Sequence, residues 1–417
     1  MRDRRVLHIL SQRPALTGSG ITLEALVGQA ARAGWDQQVV VGVPVDAVPA
    51  AVGGLGPQAL HAVTFAGKSS QTAALHFAVP GMSDVMPYTS SRFCAMTQRQ
   101  LEAYRRVWRL RLREVVGSFR PELIHAHHAW IVGAMLKDLA PDIPVVIHCH
   151  GTCLRQMALC PHLAGEVRDG CRRNDAFVVL HADHAAAYTR ELGLDERRVH
   201  VVGAGYRDDI FHFEAGARRR SGSILYAGKF SESKGLACLL DAVELLCGDS
   251  PGLVLHVAGD GRGEEAEALR ARMAAMGGSV VLHGLLDQPA LAELMRRCAV
   301  LVLPSFYEGL PLVLVEAFAS GCRLVSTDLP GIREVFGPGL GEALELVAAP
   351  RLETVDQPRR EDLPAFVRGL AAAIRRATEA PPLDLGGTAA RQRLRPFGWR
   401  AVFERVEALW TELVEAR

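Results

Sequence analysis

The sequence lacks long hydrophobic runs: none of its 417 residues lies in an apolar stretch that approaches the ~18 residues needed to cross a bilayer. It also lacks an excess of charge of one sign, because 47 basic residues face 46 acidic ones and the net charge is +1 with histidines neutral. A general nucleic-acid binder normally shows a strong basic excess. Residues 1–5 lead into a short strand rather than a signal sequence. We therefore expect a cytoplasmic protein without a transmembrane segment or a nucleic-acid partner.

Disulfide and standard metal patterns are also missing. The nine cysteines are odd in number and are spread through predicted strands and helices, which indicates reduced thiols. Four of them, Cys149, Cys153, Cys160 and Cys171, share one segment at spacings that fit no zinc pattern. We expect buried or incidental thiols there, with a bound metal or cluster as the weaker alternative, and we predict no metal site.

What the sequence does contain is a regular alternation of strands and helices, in a chain long enough for two domains. Such alternation predicts right-handed βαβ units and parallel sheets. The first half is expected to hold strands at 5–10, 38–43, 123–126, 145–148, 176–180 and 199–202, and helices at 21–33, 97–119, 130–139 and 182–192. The second half repeats the pattern, with strands near Ser223, Leu253, Val280, Leu301 and Arg323. Short strands and loops are expected at 50–90, a linker at 207–220 and an insertion loop at 353–364.

Two carboxylates frame a predicted strand-to-helix turn at residues 305–318. Residues 300–304 have the composition of a buried strand and residues 313–321 that of a helix closed by glycine, which places Glu308 in the loop and Glu316 in the early turns of the helix. Amides at a helix start attract phosphate, and ionised carboxylates accept charge-assisted hydrogen bonds from hydroxyls. The turn is suited to a ribose, a phosphate and a hexose, unless both glutamates are only solvated surface groups.

A second loop, at residues 226–235, carries Lys229 and Lys234 between glycines. Residues 223–227 are predicted to form a strand and residues 236–247 an amphipathic helix, so the loop lies at the carboxyl end of a strand. Two lysines five residues apart would meet a diphosphate there as flexible point charges.

Together these residues resemble the retaining glycosyltransferases of family 4, which carry two glutamates with seven residues between them and a glycine-Arg/Lys…Lys-glycine loop in the second half of a GT-B fold. The resemblance covers most of the chain, including residues 18–20, 148–152, 257–261 and 397–399. It implies an α/β protein of GT-B fold, with two Rossmann-like, doubly wound parallel-sheet domains facing a cleft. The acceptor-side domain is expected at 1–205 and the nucleotide-sugar domain at 206–395. A C-terminal helix at 396–417, with one apolar face, would pack back on the first domain.

The resemblance also implies roles for single residues. Lys229 and Lys234 would neutralise the nucleotide diphosphate, and Glu316 would bind ribose hydroxyls. His150 would face the transferring sugar, which Glu308 and the neighbouring backbone would hold, so that the catalytic set is His150, Lys229, Lys234 and Glu308. The other donor-side residues are Gly18, Ser19 and Gly20, which would close over the phosphates or the acceptor, Gly228 in the lysine loop, Gly284 and Leu285 beside the base, and Gly309, Leu310 and Pro311.

Histidines and arginines mark the expected acceptor side. His127 and His128 end a predicted strand, where they either orient an acceptor or are hydrogen-bonded parts of the structure. Thr152, and Arg92 in the polar segment 84–93, are further candidates. Five arginines in the predicted helix 97–119 indicate either a solvated face or a peripheral contact with a membrane or an anionic acceptor: Arg105, Arg106, Arg109, Arg111 and Arg113.

The expected reaction is transfer of a sugar from a nucleotide-diphosphate sugar to an unidentified acceptor, with retained configuration and without a metal or another cofactor. The sequence shows no nucleophile and base pair aimed at a sugar carbon, and no aspartate-x-aspartate metal motif near the donor loops. Catalysis would then depend on positioning and on stabilisation of the leaving diphosphate. Two alternatives stay open: a sugar-nucleotide epimerase of GT-B fold and a non-catalytic sugar-nucleotide sensor.

Overall fold

The computed structural model describes residues 4–68, 72–83, 86–216, 220–248 and 252–416. The chain divides into two compact units, of which the first runs to Ala204 and takes up the chain again from Trp399, while the second spans Gly205–Gly398. Each unit has its own parallel sheet. Parts of three predicted segments, at 69–71, 84–85 and 217–219, lie outside the described residues.

The first unit is built on a parallel sheet. Its strands are β1 (Arg5–Leu10), β2 (Asp36–Pro44), β3 (Leu60–Phe65), β4 (Pro80–Gly81), β5 (Ser91–Arg92), β6 (Leu123–His127), β7 (Val145–His148), β8 (Ala176–Val179) and β9 (Val199–Val201). All except the short pair β4 and β5 form one sheet in the order β3-β2-β1-β6-β7-β8-β9. The strand order reverses between β1 and β6, so the loops that follow these two strands open at one edge of the sheet.

Seven helices in this part of the chain cover the sheet: α1 (Gly18–Arg32), α2 (Gln98–Phe119), α3 (Ile131–Ala134), α4 (Leu136–Leu139), α5 (Gly151–Leu159), α6 (Pro161–Cys171) and α7 (Ala182–Leu192). The starts of α1 and α2 follow the capping rules. The Thr17 hydroxyl accepts a hydrogen bond from the Gly20 amide at 3.2 Å and so begins α1. Thr97 and Gln100 form a capping box that begins α2.

The second unit has six parallel strands, β10 (Arg220–Ala227), β11 (Val254–Ala258), β12 (Val280–Gly284), β13 (Cys298–Leu303), β14 (Arg323–Thr327) and β15 (Leu344–Val347). Their order is β12-β11-β10-β13-β14-β15, which reverses between β10 and β13. The helices of this unit are α8 (Leu236–Cys247), α9 (Glu264–Ala275), α10 (Gln288–Arg297), α11 (Leu312–Ala319), α12 (Pro330–Leu340), α13 (Leu363–Glu379) and α14 (Thr388–Leu394).

The last helix, α15 (Trp399–Glu415), belongs to the first unit, as the fold class implies. Its apolar face, with Val406 and Trp410 fully buried, packs in one cluster with Leu26 of α1 and with Val6 and Leu123 of the sheet. Burial of these side chains stabilises the return of the chain by about 1.5–3 kcal/mol for each large apolar residue.

Several sequence predictions need correction. The helix predicted at 130–139 is two short helices, because the Met135 amide bonds to the carbonyl of Val132, three residues back, and the helix breaks there. The segment after Cys149 forms α5 and α6, and β15 follows α12; neither was predicted. The predicted insertion loop at 353–364 ends early, because Pro364 lies in the first turn of α13, where its missing amide costs nothing. Arg220 begins β10 instead of ending a linker.

Within the described residues, no helix is both long enough and apolar enough to cross a bilayer.

Candidate active site

The loops that carry the two predicted donor motifs lie side by side in the second unit. β10 and β13 are adjacent where the strand order reverses, and each is followed by one of these loops. The Phe306 amide donates to the Ser233 carbonyl at 2.9 Å and ties the loops together. In open α/β sheets, ligands bind outside the carboxyl ends of the strands at such a switch point. The geometry therefore marks this edge as the binding edge of the second unit.

Lys234 and Glu308 are directly paired. The Lys234 ammonium lies 2.6 Å from Glu308 Oε1, and the Ser305 hydroxyl donates to the same oxygen at 2.8 Å. Both charges are half-buried, with 24% and 15% of their side chains exposed. Lysine has three N–H donors, so the pair with Glu308 leaves others for a ligand. The arrangement fixes a cation between the two loops.

Two glycines permit the close approach of these loops. Gly235 has φ +65°, and a Cβ there would lie 2.0 Å from the Pro304 carbonyl oxygen. Gly259, at the end of β11, has φ +138°, and a Cβ there would lie 1.9 Å from the Gly228 carbonyl oxygen. Only glycine tolerates both the backbone conformation and the contact. The glycines therefore set the backbone spacing on both sides of the lysine loop.

Glu316 lies in the second turn of α11 and has a different environment from Glu308. Its side chain is half-buried, and among the residues that the structure describes none hydrogen bonds to its carboxylate. Burial raises the pKa of Glu316 to about 7. A carboxylate kept without a partner in a partly apolar place is costly, which is typical of a group reserved for a ligand.

The other predicted donor-side residues lie on neighbouring loops. The Lys229 carbonyl accepts from the buried Tyr226 hydroxyl at 2.6 Å, which pins the backbone of the lysine loop at Gly228 and Lys229. Gly284 accepts from the Gly259 amide at 2.8 Å, and Leu285 beyond it is 73% exposed. The remaining three precede or begin α11, and Leu310 is buried among them: Gly309, Leu310 and Pro311.

In the first unit, the predicted glycine turn begins α1, directly after the loop from β1. Ser19 is buried and donates to the Gln12 side chain at 3.2 Å. A Cβ at Gly20 would lie 2.7 Å from the Ala15 amide, whereas Gly18 has open space around it. Gly20 is therefore required by the turn, and Gly18 leaves room for a ligand near the first amides of α1.

Three histidines predicted to lie near the site form part of one buried cluster in the first unit. His127 ends β6 and His128 directly follows it, while His150 lies just beyond the neighbouring strand β7 and directly before α5. His127 Nδ1 lies 3.1 Å from His150 Nε2, and His128 Nδ1 lies 3.4 Å from the Cys153 thiol. Burial lowers the pKa of His128 to about 3 and the pKa values of His127 and His150 well below the usual value. All three rings are thus neutral at physiological pH.

The other two acceptor-side candidates differ in their position relative to this cluster. Thr152 lies in the first turn of α5, half-buried, next to the His150 cap. Arg92 is exposed on β5, in a separate two-stranded sheet, and no described contact links it to the histidines. The structure therefore brings Thr152, His127, His128 and His150 to one edge and leaves Arg92 apart from them.

The arginines of α2 divide into paired and exposed groups. Arg105 pairs with Glu166 of α6, and Arg111 lies 2.9 Å from Glu114. Arg106 and Arg113 are exposed, and no ion pair of either is found in the described ranges. The choice between a solvated face and a peripheral contact with a membrane or an anionic acceptor stays a prediction.

The cysteine-rich segment is a packed part of the core. Cys149, Cys153, Cys160 and Cys171 are all free and buried. Burial raises the pKa of Cys149 well above its usual value and also raises that of Cys153 and Cys171. Burial therefore disfavours the thiolate, the form that binds metals, at Cys149, Cys153 and Cys171.

Comparison with known proteins gives the family. Two family models match the chain: a glycosyl transferase 4-like domain over residues 15–205 and a domain of glycosyl transferases group 1 over residues 221–355. The glycogen synthase of Mycobacterium tuberculosis is 28% identical over 333 residues, which cover 77% of this chain and 74% of that protein.

Solved structures give the same fold. Sucrose-phosphate synthase from Thermosynechococcus elongatus has a TM-score of 0.72 at 18% identity, over 99% of this chain and 100% of that chain. Anabaena HepE in complex with UDP-glucose has a TM-score of 0.64 at 15% identity, over 98% of this chain and 99% of that chain.

The fold and the paired loops therefore define an enzyme that transfers glycosyl groups on a GT-B scaffold. The chain belongs to the family-4 type of glycosyltransferases, group 1, within class EC 2.4.

Sequence reasoning missed three contributors to these sites. Ser305 holds Glu308 by a short hydrogen bond, although its position directly after an apolar strand was a usable signal. Tyr226 supports the lysine loop from a strand position that looked purely structural. Trp410 of α15 donates to His125 Nδ1 at 2.9 Å, a contact across 285 residues that no local pattern could indicate.

The raised pKa of Glu316 predicts a pH-dependent cost to stability. The folded state holds this proton more tightly than the unfolded chain, whose glutamate has a pKa near 4.5. The destabilisation is therefore absent below about pH 4.5 and grows as pH rises to about 7. Glu316→Gln removes the charge, so we expect the variant to be more stable than the parent by about 1–3 kcal/mol at pH 8 and equal to it near pH 4.5.

Urea denaturation at both pH values measures the difference. Glu345→Gln, at an exposed ion pair with Arg376, is the matched control and should show no such gain at pH 8. Equal stability of Glu316→Gln and the parent at pH 8 would show that the Glu316 carboxylate is not buried at a cost.

Proposed function

We propose that the protein is a retaining glycosyltransferase that moves a sugar from a nucleotide-diphosphate sugar to a hydroxyl acceptor without a divalent metal. The observation that carries the proposal is the Lys234 and Glu308 pair at the switch point of the second unit. A cation held there by a carboxylate is suited to a diphosphate, and the carboxylate is suited to sugar hydroxyls.

The donor is assigned to the second unit. Lys229 and Lys234 supply two positive charges for the diphosphate, and the first amides of α11 supply further donors. Glu316 accepts hydrogen bonds from the ribose hydroxyls, and Glu308 with Gly309, Leu310 and Pro311 holds the sugar. The Anabaena HepE structure contains UDP-glucose, which supports a sugar nucleotide as the donor class.

The reaction follows from these charges. The acceptor oxygen bonds to the anomeric carbon on the face from which the nucleoside diphosphate leaves, while the bond between that carbon and the phosphate oxygen breaks. The acceptor proton passes to the departing phosphate oxygen, and configuration is retained. Lys229 and Lys234 stabilise the negative charge that grows on this oxygen, so that no metal ion is required.

The proposal is tested with UDP, GDP and ADP and their sugars. A thermal-shift panel should single out one base, because binding to the folded state raises the melting temperature. With that donor, we expect sugar transfer or slow sugar release whose first product keeps the donor's anomeric configuration, at the same rate with and without EDTA. Inverted product or loss of the rate in EDTA would contradict it. Epimerised sugar without transfer would favour an epimerase. Tight binding of the donor without turnover would favour a sensor.

Changing Lys234 to Ala should slow turnover more than it weakens donor binding. The charge on the diphosphate grows as the bond breaks, so the lysine stabilises the transition state more than the bound donor. We expect kcat to fall about 100-fold or more while the Kd of the donor rises about tenfold or less. Lys68→Ala, at an exposed loop position, is the matched control. A Lys234→Ala enzyme with the parent's kcat would end the leaving-group assignment.

Donor affinity should depend on the protonation of Glu316. Ribose hydroxyls bond best to the ionised carboxylate, so the Kd should be lowest above pH 7 and rise as pH falls through the Glu316 pKa of about 7. Glu316→Gln should weaken donor binding about ten- to hundredfold at pH 8 and remove this pH dependence. Calorimetric titration with the selected nucleotide from pH 5.5 to pH 8.5 measures both effects. Unchanged affinity in the variant would remove Glu316 from the site.

A further inference from the structure

Four histidines of the first unit form a row of contacting imidazoles, here called the imidazole row: His125, His127, His148 and His150. His125 and His127 lie two residues apart in β6. His148 is the last residue of β7, and His150 lies two residues beyond it. The rings of His127 and His148 are nearly parallel at 5.2 Å, and those of His148 and His150 at 4.8 Å. All four side chains are buried. Of this row, the family resemblance gives only His150 a role toward the transferring sugar.

Trp410 fixes the proton positions at the inner end of the row. An indole N–H can only donate, and Trp410 Nε1 lies 2.9 Å from His125 Nδ1, which therefore accepts. A neutral His125 must then carry its proton on Nε2, which lies 3.3 Å from His148 Nδ1 and donates to it. His148 in turn carries its proton on Nε2. A neutral imidazole has one donor and one acceptor, so each tautomer follows from the previous one.

The proton shared by His127 and His150 can be assigned because one buried nitrogen of His127 has no partner among the described residues. His127 Nδ1 lies 3.1 Å from His150 Nε2, and one proton lies between them. His127 Nε2 is buried and finds no hydrogen-bond partner in the described part of the chain. If His127 carried its proton on Nε2, a buried N–H donor would be orphaned, which proteins avoid more strictly than an unused acceptor. The proton therefore belongs on His127 Nδ1, which donates to His150 Nε2.

We propose that His127 is a positioning residue that holds His150 in the Nδ1–H tautomer. His150 Nε2 is then occupied as an acceptor, and Nδ1–H is the one donor that its ring can offer to a substrate. The proposal rests on the proposed function only in its last step, the use of this N–H by a sugar hydroxyl or phosphate oxygen.

The backbone around His150 supports a fixed ring. The Tyr188 hydroxyl donates to the His150 carbonyl at 2.6 Å, and the Cys153 amide donates to the same oxygen at 3.0 Å. Burial lowers the pKa of His150 well below its usual value, so the ring stays neutral. A neutral ring with one nitrogen already accepting cannot take a proton from an acceptor hydroxyl through that nitrogen. His150 is thereby restricted to donating a hydrogen bond.

The test is the tautomer of His150 in the full chain labelled with ¹⁵N-histidine. Long-range ¹⁵N–¹H spectra distinguish a protonated from an unprotonated ring nitrogen, and the His150 signals are identified by their loss in His150→Gln. We expect Nδ1 protonated and Nε2 unprotonated in the parent protein without any ligand. A parent protein with the proton on Nε2 of His150 overturns the proposal, whether or not any variant folds.

Two substitutions at His127 separate the hydrogen bond from the side-chain volume. His127→Asn keeps an N–H donor near the place of Nδ1, and we expect it to retain the His150 tautomer. His127→Phe keeps a flat ring without a donor, so no donor bonds to His150 Nε2, and we expect the single Nδ1–H form to give way to a mixture of the two tautomers. Leu26→Ala removes volume from the core under α15 without touching an imidazole and should leave the tautomer unchanged. No shift in His127→Phe contradicts the assignment.

Kinetics test the last step separately. His127→Phe should lower kcat about tenfold with little change in the KM of the donor, and His127→Asn should recover most of the rate. In the His150→Gln background, His127→Phe should cost nothing further, because a positioning residue acts only through the residue it positions. Additive losses would mean that His127 acts independently of His150. If no glycosyl transfer is found at all, the spectra still decide the tautomer, so failure of the proposed function is distinguishable.

Discussion

The ion pair between Lys234 and Glu308 is the interaction on which the candidate site depends. It joins two residues that are 74 positions apart in the chain, and it lies where the strand order of the second unit reverses. A half-buried pair adds little net stability, because removing both charges from water costs about as much as their attraction contributes. Its effect is positional: each charge holds the other, and the bond from Phe306 to Ser233 holds the loops. The cation is therefore in place before any ligand binds.

The two glutamates of one short segment are set apart by their surroundings. Glu308 has both a lysine and the Ser305 hydroxyl as partners, whereas the half-buried Glu316 carboxylate has no hydrogen-bond partner among the described residues and its pKa is raised to about 7. Such divergence between neighbouring carboxylates commonly marks functional sites, since stability alone would favour a neutral side chain at the enclosed position. The second unit thus has one carboxylate held by an ion pair, Glu308, and one whose charge changes near neutral pH, Glu316.

The imidazole row of the first unit is polar but carries no charge. The histidines of this row are neutral because burial opposes the charged form, and His125 and His148 are ordered by directional hydrogen bonds that begin at Trp410. The C-terminal helix therefore does more than cover a sheet. By returning to the first unit it supplies a donor whose direction is unambiguous, and His125 and His148 take their proton positions from that donor.

The alternation of apolar segments and glycine loops was enough to predict both sheets, because buried parallel strands must be nearly continuous apolar runs. The same logic placed Lys234 and Glu308 in loops at strand ends. It did not predict that they touch, since strand order, which makes β10 and β13 neighbours, is decided by packing of the whole unit. The break at Met135, the helices of the cysteine-rich segment and the bond from Trp410 to His125 were also beyond local patterns. The sequence alone determined which residues of the two donor motifs lie in loops after strands; the tertiary structure decided which of them are partners, because hydrogen bonds and ion pairs act only over a few ångströms.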